Sequence, residues 1–173
     1  PPSALTPMAG AAFAVPLTDA DLGPFDAEVV PSYLRWFDEL AAPLLVQREV
    51  VRLACYACRT GAAHAAIEKR LKSGDALVGV DPSEPALWTA RMRDAPAGLS
   101  VAYEHASELP SPLRSGSFTH ATIVHPTGPD ATRAQLLDDA FRVLQPGGQL
   151  VLTMPARGSF PELLDLVREY ATK

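Results

Sequence analysis

The chain is predicted to form an α/β domain, with a mostly parallel sheet of about five strands and helices on both faces. The first observation behind this prediction is a series of short apolar runs, each bounded by turn residues. The second is that segments with apolar residues at helical spacing separate these runs. Because such sheets bind ligands beyond the carboxyl ends of their strands, where the strand order reverses, the strand ends are the candidate site.

The N-terminal part is predicted to be an arm followed by helices. Residues 1–24 are rich in Pro, Ala and Gly without periodicity, which predicts a flexible arm or an arm that lies on the core. The domain itself is expected to occupy residues 25–173. Residues 25–47 predict one or two helices, interrupted near Pro43, with an apolar stripe that is expected to pack into the core. The stripe consists of Tyr33, Trp36, Phe37, Leu40, Leu44 and Leu45.

From residue 50 onward the alternation is regular. Strands are predicted at residues 50–56, 76–80, 99–103, 118–124 and 149–154, and helices at residues 61–71, 84–93, 132–144 and 160–170. Ser73 and Gly74 end the first of these helices, and Ser83 is a suitable N-cap for the second. A turn at residues 146–148, with the sequence Pro-Gly-Gly, precedes the last strand.

Length and charge narrow the functional classes. The 173 residues suit one domain with a sizeable core. A net charge of −5 disfavours binding to nucleic acid or to an anionic membrane surface. The apolar runs are far shorter than the roughly 20 residues that span a bilayer, and the N-terminus lacks the basic start of a signal peptide. We therefore expect a cytoplasmic protein that binds neither nucleic acid nor a membrane.

The two cysteines, Cys55 and Cys58, form a C-x-x-C pair that suggests a redox couple or half of a zinc site. A zinc site needs two more ligands, and the four histidines show no paired spacing, so no metal site is expected. The simpler interpretation is that two small residues occupy a strand end and a loop. A redox pair stays open as an alternative, because a thiol near a helix N-terminus has a lowered pKa.

The segment from Cys55 to Gly61 connects a predicted buried strand to a predicted helix. Strand, loop and helix in this order bind nucleotide-like ligands at the helix N-terminus. Such loops use Gly where the backbone approaches the ligand or adopts a positive φ. Here only Gly61 is present, and a bulky Arg59 lies in the middle of the loop.

Four segments of the chain together resemble a known family. The chain is similar to class I S-adenosylmethionine-dependent methyltransferases of the ubiquinone-biosynthesis-like type, over roughly residues 25–170. The resemblance implies a Rossmann-like three-layer sandwich. The matching segments, in order, are Cys58-Arg59-Thr60-Gly61, Val78-Gly79-Val80-Asp81-Pro82-Ser83, Ala106-Ser107-Glu108-Leu109-Pro110 with Gly116-Ser117-Phe118, and Ala140 to Thr153.

The resemblance also implies which residues contact S-adenosylmethionine. Asp81, followed by Pro82, holds the place of the acidic residue that accepts hydrogen bonds from the ribose hydroxyls. His105 and Ala106 hold the places beside adenine, with Glu104 as the alternative if the alignment slips by one residue. The first loop contributes the remaining contacts, at Ala57, Arg59 and Gly61.

This first loop departs from the family pattern at three positions. Cys55 replaces an acidic residue, Ala57 replaces the first Gly, and Arg59 replaces the second. If the last position requires a positive φ, a bulky residue there costs about 1–2 kcal/mol. The Arg59 side chain also has the size to fill the space of the methionine part of the cofactor.

Two hypotheses follow for function. In the first, the protein transfers a methyl group to a small-molecule acceptor, with Arg59 turned outward or paired with the cofactor carboxylate. In the second, the fold is a catalytically inactive module for protein binding, scaffolding or regulation. A third interpretation is that Arg59 and the helix N-terminus bind another anion.

The acceptor side has few candidate residues. His125 follows the fourth strand and is a candidate general base for a hydroxyl or amine acceptor, or else a packing and hydrogen-bonding residue. Tyr33 and Trp36 are expected to cap the pocket from the N-terminal helices.

The end of the chain bears on its partners. Members of the family continue into two further strands, whereas this chain ends at Lys173, so the strand at residues 149–154 is expected at a sheet edge. A hydrophobic edge strand pairs readily with other chains. We therefore predict an exposed apolar patch beside that strand, and with it a homodimer, an interdomain contact or a chain that is one piece of a longer protein.

Overall fold

The computed structural model describes residues 12–156 and residue 159. Within them, five strands form one parallel sheet in the order β3-β2-β1-β4-β5. This confirms the predicted fold class, and it places the reversal of strand order between β1 and β4. The strands are β1 (Arg52–Tyr56), β2 (Ala76–Asp81), β3 (Ser100–His105), β4 (Phe118–Val124) and β5 (Leu144–Thr153).

The helices begin with an N-terminal group that precedes the sheet. Pro24 and Pro31 lie within this group, and since neither has an N–H to donate, its turns are irregular. In chain order the helical segments are α1 (Asp19–Pro24), a π-helical segment (Phe25–Leu34), α2 (Arg35–Ala41), a 3₁₀ turn (Ala42–Leu44), a second 3₁₀ turn (Ala62–His64), α3 (Ala65–Glu68), α4 (Glu84–Arg91) and α5 (Asp130–Val143).

Most predicted elements are present within about two residues of their predicted bounds, and two differ by more. The helix predicted over residues 61–71 is limited to a 3₁₀ turn and α3, because Arg70 and Leu71 bond the carbonyls three residues before them. The turn predicted at residues 146–148 lies inside β5, which shifts register against β4 in this region. Ser83 caps α4 as predicted, its hydroxyl accepting from the Ala86 N–H at 3.3 Å. The helix predicted over residues 160–170 lies outside the described residues.

The core lies on both faces of the sheet. Successive residues of a strand point to opposite faces. Ala54 and Tyr56 of β1 accordingly pack with α5, whereas Leu53 and Cys55 pack with α2, α3 and α4. This arrangement confirms the prediction of helices on both faces.

The N-terminal segment covers the loop that follows β1. Phe13 is buried and packs edge-on against Tyr56, with ring centroids 6.4 Å apart. The Thr60 hydroxyl donates to the Asp26 carboxylate at 2.5 Å. The Asp38 carboxylate accepts from the backbone N–H of Ala66 at 2.6 Å and caps the start of α3. These contacts close the N-terminal helices over the carboxyl ends of the strands.

The apolar stripe of the N-terminal helices is only partly buried. Leu45 lies in the core as expected, but the expectation is wrong for Trp36, Leu40 and Leu44, which are 54%, 63% and 56% exposed. Trp36 and Leu40 are four residues apart and share one face of α2, Leu44 follows in the 3₁₀ turn, and all three side chains point away from the core. We call this surface the α2 apolar face.

The α2 apolar face lies beside β5. The side-chain amide of Gln149, in β5, donates to the Leu44 carbonyl at 2.8 Å and accepts from the Val46 N–H at 2.9 Å. On β5 itself, Leu152 is 38% exposed and lies on the opposite face of the sheet, beside Leu136 and Leu137 of α5. The predicted exposed apolar patch beside the last strand is therefore confirmed.

Among the helices described, none is long and apolar enough to cross a membrane.

Candidate ligand site at the strand ends

The loop after β1 keeps the backbone path of a glycine-rich loop although two glycines are replaced. Ala57 has φ 56°, Arg59 has φ 51° and Gly61 has φ 76°. The positive φ suspected at Arg59 is confirmed. A left-handed conformation at a non-glycine residue costs about 1–2 kcal/mol, so contacts elsewhere in the loop must offset this strain at two positions.

The Arg59 side chain supplies such contacts. It is 5% exposed, and its guanidinium donates to the carbonyls of Ala57 at 2.9 Å, Val124 at 3.2 Å and His125 at 2.8 Å. These carbonyls follow β1 and β4, so the guanidinium lies at the reversal of strand order. Burial lowers its pKa and the Asp81 charge opposes that shift, but an arginine stays charged at neutral pH.

Asp81, at the end of β2, is completely buried. One carboxylate oxygen accepts from the Arg59 N–H at 2.9 Å, and the other accepts from the Ser83 N–H at 2.9 Å. Burial raises the pKa of this carboxyl, whereas the two hydrogen bonds and the Arg59 charge lower it. Both oxygens thus hold backbone in place, and the role of Asp81 as a ribose ligand stays a prediction.

The residues predicted beside adenine lie next to Asp81. His105 is opposite Asp81 in the β2–β3 register, is exposed, and has its Nε2 3.0 Å from the Pro82 carbonyl. Ala106 is buried, and its N–H donates to the Asp81 carbonyl at 3.1 Å. The structure places these residues next to Asp81, on the β2 and β3 side of Arg59, and their contact with adenine stays a prediction.

His125 lies just past β4, on the other side of Arg59. It has φ 50°, and its Nε2 is 2.8 Å from the Tyr33 hydroxyl. Its ring also lies edge-on to Phe37, with centroids 5.0 Å apart. Burial and the nearby Arg59 charge lower the pKa of His125, so its ring is neutral at neutral pH. Of the two residues expected to cap the site, Tyr33 does so, whereas Trp36 points outward with Arg35 over its ring.

The two cysteines are buried inside the fold. Burial raises the pKa of Cys55 to about 12 and raises that of Cys58 well above its usual value. The lowered thiol pKa considered for Cys58 is therefore wrong, because desolvation outweighs any effect of the following helix. Within the described part of the chain, no group of three or more His, Cys, Asp or Glu could hold a metal ion.

A cavity of about 150 Å³ lies over Arg59. Two groups of residues line it: apolar side chains from the N-terminal segment on one side, and the ends of the loops after β1 and β4 on the other. Asp81 is not part of its wall. The lining consists of Val15, Leu17, Phe25, Val29, Tyr33, Leu34, Arg59, His125 and Thr127.

Two buried polar residues, His64 near Arg59 and Asp139 on α5, were not predicted from the sequence. His64 is 2% exposed, and neither ring nitrogen has a hydrogen-bond partner among the described residues. Burial, together with the charges of Arg59 and Arg93, lowers its pKa to about 3. Asp139 is also buried, and it accepts from the Tyr56 hydroxyl at 2.7 Å. The burial of Asp139 could have been predicted from the sequence, because it lies beside Leu136 and Ala140 on the apolar face of α5.

A family model and a curated relative both match this chain, and both are methyltransferases. Residues 54–148, more than half of the chain, match the model of a methyltransferase domain. The chain is 32% identical over 130 residues to the demethylmenaquinone methyltransferase of Thermus thermophilus, covering 73% of this chain and 58% of that protein.

Solved structures share the fold. A SAM-dependent methyltransferase from Aquifex aeolicus superposes with a TM-score of 0.62 at 17% identity, over 84% of this chain and 80% of that one. A methyltransferase solved in complex with the Trm112 activator of Haloferax volcanii superposes with a TM-score of 0.58 at 19% identity, over 78% and 60% of the two chains.

The sequence match and the fold both indicate a methyltransferase domain, but the match covers only part of the relative's length. The chain spans only 58% of the length of the Thermus relative, so it corresponds to part of such a protein. The family model covers the end of β1, all of β2 to β4 and the first half of β5, and with them the loops that carry the candidate site. The chain belongs to the methyltransferase domain family, among the class I S-adenosylmethionine-dependent methyltransferases.

Proposed function

We propose that this domain is a methyltransferase fold that serves as a binding module and does not transfer methyl groups. The observation that carries the proposal is the position of Arg59. Its buried guanidinium bonds three backbone carbonyls at the point where the sheet order reverses. Ligands of such sheets bind at this point, so the side chain takes the place of part of the cofactor.

The residues present do not fit S-adenosylmethionine in this conformation. The cavity over Arg59 measures about 150 Å³, below the range of roughly 300–1,000 Å³ that is usual for sites of drug-sized ligands. Asp81 is buried with both oxygens bonded to backbone N–H groups. A sulfonium cation would also lie close to the buried guanidinium, and like charges repel strongly where water is excluded.

An active methyltransferase is the second candidate. The observation that favours it is the 32% identity to a demethylmenaquinone methyltransferase, whose name indicates a small-molecule acceptor. In this alternative Arg59 leaves the crevice or pairs with the carboxylate of the cofactor. His125, which is neutral at neutral pH, then has the protonation state of a general base.

Cofactor titration separates the two candidates. We expect no heat of binding when the purified chain is titrated with S-adenosylmethionine up to about 1 mM, near the top of the usual KM range. Arg59→Gly removes the obstructing side chain and tolerates the positive φ, so it should bind at least about tenfold more tightly. Arg114→Gly, at an exposed loop residue, is the control and should behave like the unmodified chain.

Two results would contradict the binding-module proposal. One is submillimolar binding of the cofactor by the unmodified chain. The other is weaker binding by Arg59→Gly than by the unmodified chain, because that result would make the guanidinium a cofactor ligand.

We also propose that a protein surface covers the α2 apolar face and the adjoining edge of β5, either in a homodimer or in an interdomain contact. Trp36, Leu40 and Leu44 together present an apolar surface, and such patches mark interaction sites. Strand β5 pairs with β4 alone among the described strands, which leaves one edge for a further strand.

Light scattering tests the homodimer. At a chain concentration of about 100 μM, an interface with a Kd in the micromolar range gives mostly the dimer mass. Trp36→Lys should restore the monomer mass, whereas Trp88→Lys, at a 64% exposed Trp of α4, should not. A monomer mass for the unmodified chain would contradict the homodimer and leave the interdomain contact.

A further inference from the structure

The cavity over Arg59 combines a buried cation with apolar walls. Arg59 is 5% exposed. A guanidinium has five N–H donors, and three are used by the carbonyls of Ala57, Val124 and His125, which leaves two without a partner among the described residues. Arg59 also lines the cavity.

The charge of Arg59 is incompletely compensated. Within the described part of the chain, no carboxylate forms an ion pair with its guanidinium. Asp81 is close enough to favour the charged form, but its carboxylate bonds the backbone N–H of Arg59 instead of the guanidinium. A buried charge without a counter-ion is unfavourable, and an anion in the cavity would relieve this cost.

The wall opposite Arg59 is apolar, and it determines what kind of group the ligand carries beside its anion. Phe25, Val29 and Leu34 present hydrocarbon to the cavity, and Leu17 adds to it from the N-terminal segment. An apolar cavity of this volume, about 150 Å³, holds a molecule the size of benzene. A phosphate or a dicarboxylate would leave charge against hydrocarbon, whereas a monocarboxylate with an apolar body satisfies both walls.

We propose that the cavity over Arg59 binds a small organic monocarboxylate of about the size of benzoate. The carboxylate accepts hydrogen bonds from the two remaining N–H donors of Arg59, and the apolar body lies against Phe25, Val29 and Leu34. This inference rests on the proposed function, since it assigns a ligand to the space that the cofactor has lost.

Calorimetry with benzoate and benzamide tests the carboxylate. The two molecules have nearly the same shape, and only benzoate carries a charge. We expect benzoate to bind the unmodified chain with a millimolar Kd and benzamide to bind at least tenfold more weakly. Arg59→Gln should lose at least tenfold in benzoate affinity, and the exposed control Arg114→Gln should lose none. Equal binding of benzoate and benzamide, or no benzoate binding at about 10 mM, would overturn the proposal.

A second variant covers the possibility that Arg59→Gln does not fold. Val29 is 39% exposed and lines the cavity, so Val29→Trp fills the space from the surface. It should abolish benzoate binding without changing the melting temperature. Retained benzoate affinity in this variant would place the ligand elsewhere and overturn the proposal. Tight binding of inorganic phosphate in place of benzoate would overturn it as well.

A failure of the monocarboxylate site can be distinguished from a failure of the proposed binding-module function. Binding of S-adenosylmethionine by the unmodified chain would overturn the proposed function, whatever benzoate does. The absence of binding for both ligands would leave the proposed function intact and overturn the monocarboxylate site alone.

Discussion

Asp139→Ala is expected to lower the free energy of unfolding by about 2–4 kcal/mol, because it leaves buried donors without their acceptor at about 1–3 kcal/mol each. The Asp139 carboxylate accepts from the Tyr56 hydroxyl at 2.7 Å, from the Ser111 N–H at 3.1 Å and from Arg142 Nε at 2.7 Å. Removing it takes the acceptor away from the Tyr56 hydroxyl and from the N–H and hydroxyl of Ser111, and it removes the ion-pair partner of Arg142. Arg142 in turn donates to the Leu113 carbonyl at 2.8 Å, so the loop before β4 loosens as well.

Urea denaturation monitored by circular dichroism measures this loss, and the neighbouring residue supplies the control. Asp138 is exposed on the same helix, so Asp138→Ala should stay within about 0.5 kcal/mol of the unmodified chain. Asp139→Asn keeps the shape of the side chain and one acceptor oxygen, and it should lie between the two. A loss below about 1 kcal/mol for Asp139→Ala would show that the network does not contribute as its geometry indicates.

The sheet could be predicted from the sequence because each of its strands is encoded by neighbouring residues in the chain. Strands β1, β2 and β4 are mostly apolar and β3 is an alternating, more exposed strand. The α/β alternation then leaves little freedom in topology. A positive φ at Arg59 could be considered for a similar reason, because the resemblance puts this residue where the family pattern has Gly. Such features depend on the residues themselves and on their immediate neighbours in the chain.

The side-chain partners could not be predicted, because they join residues far apart in sequence. The sequence alone does not show that Arg59 turns back onto the carbonyls of Val124 and His125, or that Asp38 caps α3. The outward direction of Trp36 was missed for a related reason. A helical stripe shows which residues share a face, but the packing of the whole domain decides which face meets the sheet.

Asp81→Ala is expected to lower the free energy of unfolding by about 3 kcal/mol, since it leaves two buried N–H groups without acceptors at about 1–3 kcal/mol each. Those groups belong to Arg59 and Ser83, both 2.9 Å from the carboxylate. The change also removes the anion nearest to the buried guanidinium of Arg59. Asp81→Asn keeps one acceptor and should lose about half as much. Thermal or urea unfolding gives these values, with the exposed Asp94→Ala as the control.

The same variant distinguishes two roles for Asp81. If the carboxylate serves chiefly to hold a ribose, its removal should weaken a nucleoside ligand and leave unfolding close to that of Asp94→Ala. If it serves to hold the loop, unfolding should change by kilocalories, and the loss should shrink in an Arg59→Gly background, where no guanidinium needs the anion. The burial of Asp81 and its two backbone partners favour the second result. An acidic residue kept from a cofactor site would then hold in place the arginine that closes that site.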